Sequence, residues 1–253
     1  MSHREDRSIL SRTAPPPDAV LSYGPDADAV ADLRSGGAQA SRRPLLVIVH
    51  GGFWRPDFDR SHVQPMAAAL AEAGWSSVVP EYRRIPGKPD AAVGDVRTAV
   101  RALPAAPDVA GLSDGRVVLI GHSAGGHLVL QAAAAEGVGE HLAGVVALAP
   151  VADLRLGEEL GLDGDAVRAF LGEPAAGRPD LDPARLPAAE CRVGLVHGRE
   201  DAVVPLTLSE SFCARHPGAQ LFPVDGGHFG LIDPRSPVWP DVLAALDSVT
   251  SGG

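Results

Sequence analysis

The stretch Val117-Val118-Leu119-Ile120-Gly121-His122-Ser123-Ala124-Gly125-Gly126, followed by the Ala/Leu-rich segment Leu128 to Ala135, leaves few folds open to this chain. The β-branched run reads as a buried strand, Gly-Xaa-Ser-Xaa-Gly as a sharp elbow and the segment after it as a helix, with Ser123 at the apex. A residue there occupies backbone space that non-glycine residues seldom visit, and Gly121 and Gly125 let neighbouring backbone approach. The helix aims unpaired N–H groups and the positive end of its dipole at the serine, which suits a nucleophile whose reaction develops an oxyanion. Ser123 is the expected nucleophile and the Ala124 N–H an expected oxyanion donor. A phosphate loop is excluded, because His127-Leu128 stands where Lys followed by Ser or Thr is needed.

A second loop fits the first. Leu45-Leu46-Val47-Ile48-Val49 is a continuous apolar run, as in a strand covered on both faces, and it ends in His50-Gly51-Gly52-Phe53-Trp54. Glycines just beyond a buried strand let the chain turn and converge N–H groups, so Gly52 and Phe53 are expected to join Ala124 in an oxyanion hole, with His50 bracing the loop. Trp54, Tyr82 and His122 are the expected substrate-binding residues.

The pattern alternates along the chain. Two weak strands, Ala19–Tyr23 and Ala29–Leu33, form an antiparallel start; helices follow at Ser61–Ala73, stopped by Gly74, and at Ala91–Leu103. Further strands are read at Trp75–Arg83, Leu142–Pro150, Val193–His197 and Ala219–Val224, and Val238–Val249 closes the chain as a helix. This predicts an α/β fold with a mainly parallel sheet of about eight strands and helices on both faces. Residues 1–17, with Pro15-Pro16-Pro17, read as a flexible leader, and 18–253 as one domain. Between 153 and 190 apolar density falls, and this stretch serves either as a small cap or as an ordinary connection, with a short helix over Asp165–Gly172.

In such a sheet ligands bind beyond the carboxyl ends of the strands, where Ser123, Asp201 and His228 all fall, in the order nucleophile, acid, histidine. His228 alone among the nine histidines follows a late strand in a glycine-rich turn, and is the expected base. Asp201 competes with Glu200, Asp153 and Asp225 and is preferred for its place after the last strand but one.

Composition narrows the function. A hydrophobic fraction of 45% with 21% charged residues is that of a globular protein with no bilayer-spanning run, and the polar opening Met1–Arg7 has no signal-peptide core behind it, so a cytoplasmic location is expected. A formal net charge of −10 argues against nucleic acid or an anionic membrane as partner. Cys191 and Cys213 read as idle thiols, and with no cysteine cluster, His-Glu-Xaa-Xaa-His or dinucleotide fingerprint neither metal nor organic cofactor is expected. A small ester or amide is the expected partner, and a homodimer is left open.

Taken together, His50-Gly51-Gly52-Phe53-Trp54, Glu81-Tyr82-Arg83, Gly121-His122-Ser123-Ala124-Gly125-Gly126-His127-Leu128 and the Asp201 and Gly227-His228 loops resemble the α/β-hydrolase superfamily from about Leu45 to the C-terminal helix. Within it they resemble the kynurenine formamidase branch, related to hormone-sensitive-lipase-like esterases. The resemblance implies a minimal cap, a Ser123-His228-Asp201 acyl-enzyme mechanism, and a small ester or aryl formamide as substrate. A general carboxylesterase, a biosynthetic thioesterase or acyltransferase, and a non-catalytic binding protein of the same fold are the alternatives.

Overall fold

The computed structural model describes residues 5–138 and 141–251. Its centre is an eight-stranded sheet of β1 (Ala19–Ser22), β2 (Val30–Arg34), β3 (Leu45–Val49), β4 (Ser77–Pro80), β5 (Val117–His122), β6 (Leu142–Leu148), β7 (Arg192–Gly198) and β8 (Gln220–Val224), in the order β1-β2-β4-β3-β5-β6-β7-β8. The pairs β1/β2 and β2/β4 are antiparallel and all others parallel. The helices are α1 (Gln64–Glu72), α2 (Pro89–Ala102), α3 (Ala124–Ala133), α4 (Leu154–Glu159), α5 (Ala166–Leu171), α6 (Thr207–Arg215) and α7 (Trp239–Thr250).

Side-chain alternation along the strands builds two cores. Leu45, Val47 and Val49 of β3 with Val117 and Leu119 of β5 face α2 and α3 through Val96, Val100, Leu128 and Val129. Leu46, Ile48, Val118 and Ile120 point the other way, onto Met66 and Leu70 of α1 and Val242 and Leu246 of α7. Both faces being covered, β3 and β5 are buried along their whole length. Pro65, set in the first turn where its missing N–H leaves no bond unmade, marks the start of α1, so the helix expected from Ser61 begins instead after a 3-10 turn over Arg60–Val63.

The expected leader is the main departure. Residues 1–4 lie outside the described residues, but 5–17 are packed rather than loose: Ser8–Ser11 forms a 3-10 turn, Ile9 is buried, and Arg12 pairs with Asp233. A single apolar side chain among charges has no periodicity to betray it, yet Ile9 is buried as part of the second core, to which Phe229 and Leu231 also belong. The stretch 153–190 packs as well. It carries α4 and α5, buries Leu154, Val167 and Phe170, and is tied down by the Asp182 carboxylate, which accepts the N–H groups of Leu154 and Ala184.

Candidate active site

Ser123 stands between β5 and α3 with φ 56° and ψ −118°, a conformation unfavourable for a side-chain-bearing residue. Its backbone is held on both sides, the N–H donating to Leu148 O at 2.8 Å and the carbonyl accepting from His127 N–H at 3.1 Å. The elbow can form only because position 125 has no side chain: a Cβ there would come within 2.1 Å of Val49 O. β3 therefore passes directly over the start of α3 and brings its own exit loop to the serine.

That loop is strained too. Gly52, Phe53 and Trp54 have φ values of +107°, 48° and 55°, and a Cβ on Gly52 would strike Phe58 Cβ at 2.4 Å. Among the described residues nothing accepts the N–H groups of Gly52, Phe53 or Ala124, so three expected donors are unpaired beside Ser123. His50 braces the loop as expected, buried beneath it with Nδ1 2.9 Å from Gly51 O and Nε2 2.9 Å from Glu81 Oε1, while Tyr82 Oη–H donates to His50 O at 3.0 Å.

The loops after β7 and β8 bring the other two residues together across 27 positions of sequence, with His228 Nδ1 2.7 Å from Asp201 Oδ2. Asp201 Oδ1 accepts the N–H groups of Val203 and Val204, both at 2.8 Å. Burial alone would raise this carboxyl, but hydrogen bonds from His197 and His228 and the attraction of His228 outweigh it and hold Asp201 well below the usual carboxylate range. The competing acids are elsewhere: Asp153 caps α4 and accepts Ser211 Oγ–H, and Asp225 is exposed beside Arg199.

Ser123 and His228 border one cavity of about 140 Å³, with Gly52, Phe53, Phe58 and Phe229 among its walls. Ser123 Oγ makes no hydrogen bond among the described residues; without substrate such bonds are commonly long and tighten on binding. His122 borders the same cavity and donates Nε2–H to His228 O at 3.1 Å; burial, then the neighbouring His228, push its imidazole well below the ordinary range, so it is neutral.

Two expected substrate residues lie outside the cavity. Tyr82 is fully buried beneath His50, and Trp54, at 3% exposure, stacks on Phe170 with ring centroids 4.3 Å apart. Both are large apolar rings next to strand ends, and the core claims them for their area. Sequence reasoning missed Glu5, Arg7, His62 and the Arg55–Asp163 ion pair, which joins the cavity mouth to the 153–190 stretch. No local pattern marks them, because each is defined by a partner far along the chain.

Sheet order, crossover helices and the serine elbow define the α/β-hydrolase fold, and solved structures agree. A truncated carbohydrate esterase from gut microbiota superposes with a TM-score of 0.74 at 17% identity, covering 98% of this chain and 99% of that one. Esterase B of Lactobacillus rhamnosis, inhibited by a tributyrin phosphonate, gives 0.74 at 20% identity over 96% and 90% of the two chains. A candidate thioesterase from Silicibacter sp. TM1040 gives 0.69 at 26% identity over 89% and 86%. The BD-FAE family model matches residues 32–215, more than half of the chain, and the protein belongs to that family. Comparison with curated proteins finds no match. No helix among the described residues is long and apolar enough to cross a membrane.

Proposed function

We propose that this chain is a serine-type acyl hydrolase of small esters. The observation that carries the reading is the strained Ser123 facing three unpaired N–H groups in the cavity that His228 borders, with Asp201 locked on the far ring nitrogen. His228 Nε2 takes the Ser123 proton as Oγ attacks the carbonyl carbon, and Asp201 holds the Nδ1–H tautomer and stabilises the imidazolium. The oxyanion is received by the N–H groups of Gly52, Phe53 and Ala124. His228 then gives its proton to the leaving group, and water, deprotonated by the same nitrogen, releases the acid and restores Ser123.

A cavity of about 140 Å³ with phenylalanine walls suits a short acyl group. The esterase neighbours support an ester, the resemblance of the His-Gly-Gly-Phe-Trp loop to the kynurenine formamidase branch supports an aryl formamide, and the Silicibacter likeness supports adding a thioester to the panel. The test is labelling by a fluorophosphonate probe, with turnover of p-nitrophenyl acetate and N-formylkynurenine by wild type and Ser123→Ala. Labelling at Ser123 with turnover lost in the variant supports the proposal. Turnover that survives Ser123→Ala sinks it, and the ratio of the two substrates decides between ester and formamide.

A further inference from the structure

The acyl-hydrolase reading makes no use of a carboxylate at the start of the chain. Glu5 Oε1 accepts the Ala202 N–H at 3.0 Å, and Oε1 and Oε2 each lie 3.0 Å from the His228 N–H. One side chain thus bridges the loop that bears Asp201 and the loop that bears His228. Further upstream the two loops are joined by backbone, Arg199 and Glu200 N–H donating to Val224 and Gly226 O; next to the acid and base, beside their own hydrogen bond, the two loop backbones are bridged by Glu5.

The surroundings are arranged for it. A Cβ on Gly227 would come within 2.4 Å of Glu5 Oε2, so the glycine before His228 leaves the space this carboxylate fills. The segment that carries Glu5 is anchored by buried Ile9, by Arg12 on Asp233 with Nη2 2.9 Å from Oδ2, and by the Arg7 guanidinium 5.3 Å from the centre of the Phe229 ring. N–H groups bonded to an ionised acceptor are held more firmly than those bonded to a neutral one.

We infer that Glu5 is a positioning residue of this site: through the backbone of Ala202 and His228 it sets the acid against the base. The inference rests on the reading of Ser123, His228 and Asp201 as the reacting set. A misplacement of about 1 Å between such groups lowers rates by about a hundredfold, which is the scale of what this carboxylate controls.

The test uses the full chain, a fluorophosphonate probe and p-nitrophenyl acetate. Glu5→Ala is expected to slow both labelling and kcat by about 10- to 100-fold with KM within about twofold and the thermal midpoint near wild type, since Ile9 and Arg12 remain. Glu5→Gln keeps Oε1 as acceptor for both N–H groups but loses the charge and sets an amide NH2 where Oε2 met the His228 N–H, so it should recover part of the rate lost in Glu5→Ala. Gly227→Ala, which displaces the carboxylate, should slow the enzyme likewise and add little on top of Glu5→Ala. Wild-type kcat in Glu5→Ala, a change in KM alone, or a loss that follows the thermal midpoint would overturn the inference. Should wild type itself be neither labelled nor active, the proposed function fails instead. The downfield NMR resonance of the His228 Nδ1–H then still decides on Glu5: altered in Glu5→Ala it supports the positioning role, unchanged it refutes it.

Discussion

His228 Nδ1 stands 2.7 Å from Asp201 Oδ2 while the other oxygen of the same carboxylate is held by the N–H groups of Val203 and Val204. The acid is therefore oriented by its own loop before it meets the imidazole. Asp201→Asn keeps an oxygen for those backbone donors but turns an amide N–H toward His228, which then holds the wrong tautomer. A fall in kcat of about 10⁴-fold with a near-native thermal midpoint is expected from steady-state turnover and circular dichroism. A fall below tenfold would remove Asp201 from the reaction.

Ser123 is strained by its positive φ, and the strain is separable from the hydroxyl. Both Ser123→Ala and Ser123→Gly should lose turnover, but glycine adopts this conformation without penalty. Ser123→Gly is expected to be more stable than Ser123→Ala by about 1 kcal/mol in chemical denaturation. Equal stabilities would mean that the elbow stores no strain.

Gly125 is the point where β3 crosses the start of α3. Gly125→Ala forces a methyl into space held by Val49 O and His50 O, which are backbone and cannot swing aside. A loss of about 1–3 kcal/mol is expected, together with most of the activity, because the shift falls on the loop that carries Gly52 and Phe53. The same substitution at Gly94, whose surroundings are open, should lose neither.

Neighbouring aromatic residues should behave oppositely. Trp54 packs on Phe170 in the core, whereas Phe53 borders the cavity. Trp54→Ala is expected to lower stability by about 3–5 kcal/mol, and Phe53→Ala to act chiefly on KM and on the preference for acyl size. Kinetics and denaturant melts on the pair separate the two roles.

Acid should destabilise the fold through buried neutral histidines. His127, which donates Nε2–H to Leu181 O, is pushed down to about 4 by burial, and His62 to about 4 by burial and by His50. Unfolded, each takes up a proton near 6.5, so between that value and about 4 the unfolded chain binds more protons than the folded one. The stability is whole above about pH 6.5 and is lost as pH falls, by about 1.4 kcal/mol per unit for each histidine. Urea midpoints at about pH 7 and about pH 5 check this, and an unchanged midpoint would contradict it.

Much of this protein was legible as a string. Continuous apolar runs read as doubly covered strands, glycines beyond strand ends as turns, and the spacing around Ser123 as an elbow, because each depends on residues within a few positions of one another. The same local logic set Gly52, Phe53 and Ala124 as unpaired donors and put Asp201 and His228 at strand exits. What the string could not decide is which side of a strand end a ring takes, or what lands on a loop from far away. Trp54 and Tyr82 went to the core because Phe170 and His50 offered packing partners, and Arg7 and Leu10 came to border the site because Ile9 joined the second core and Glu5 found two N–H groups more than 190 residues on. Periodicity and turn chemistry are properties of neighbours in sequence, and they determine elements; burial and hydrogen-bond satisfaction are properties of neighbours in space, and only the folded chain supplies those.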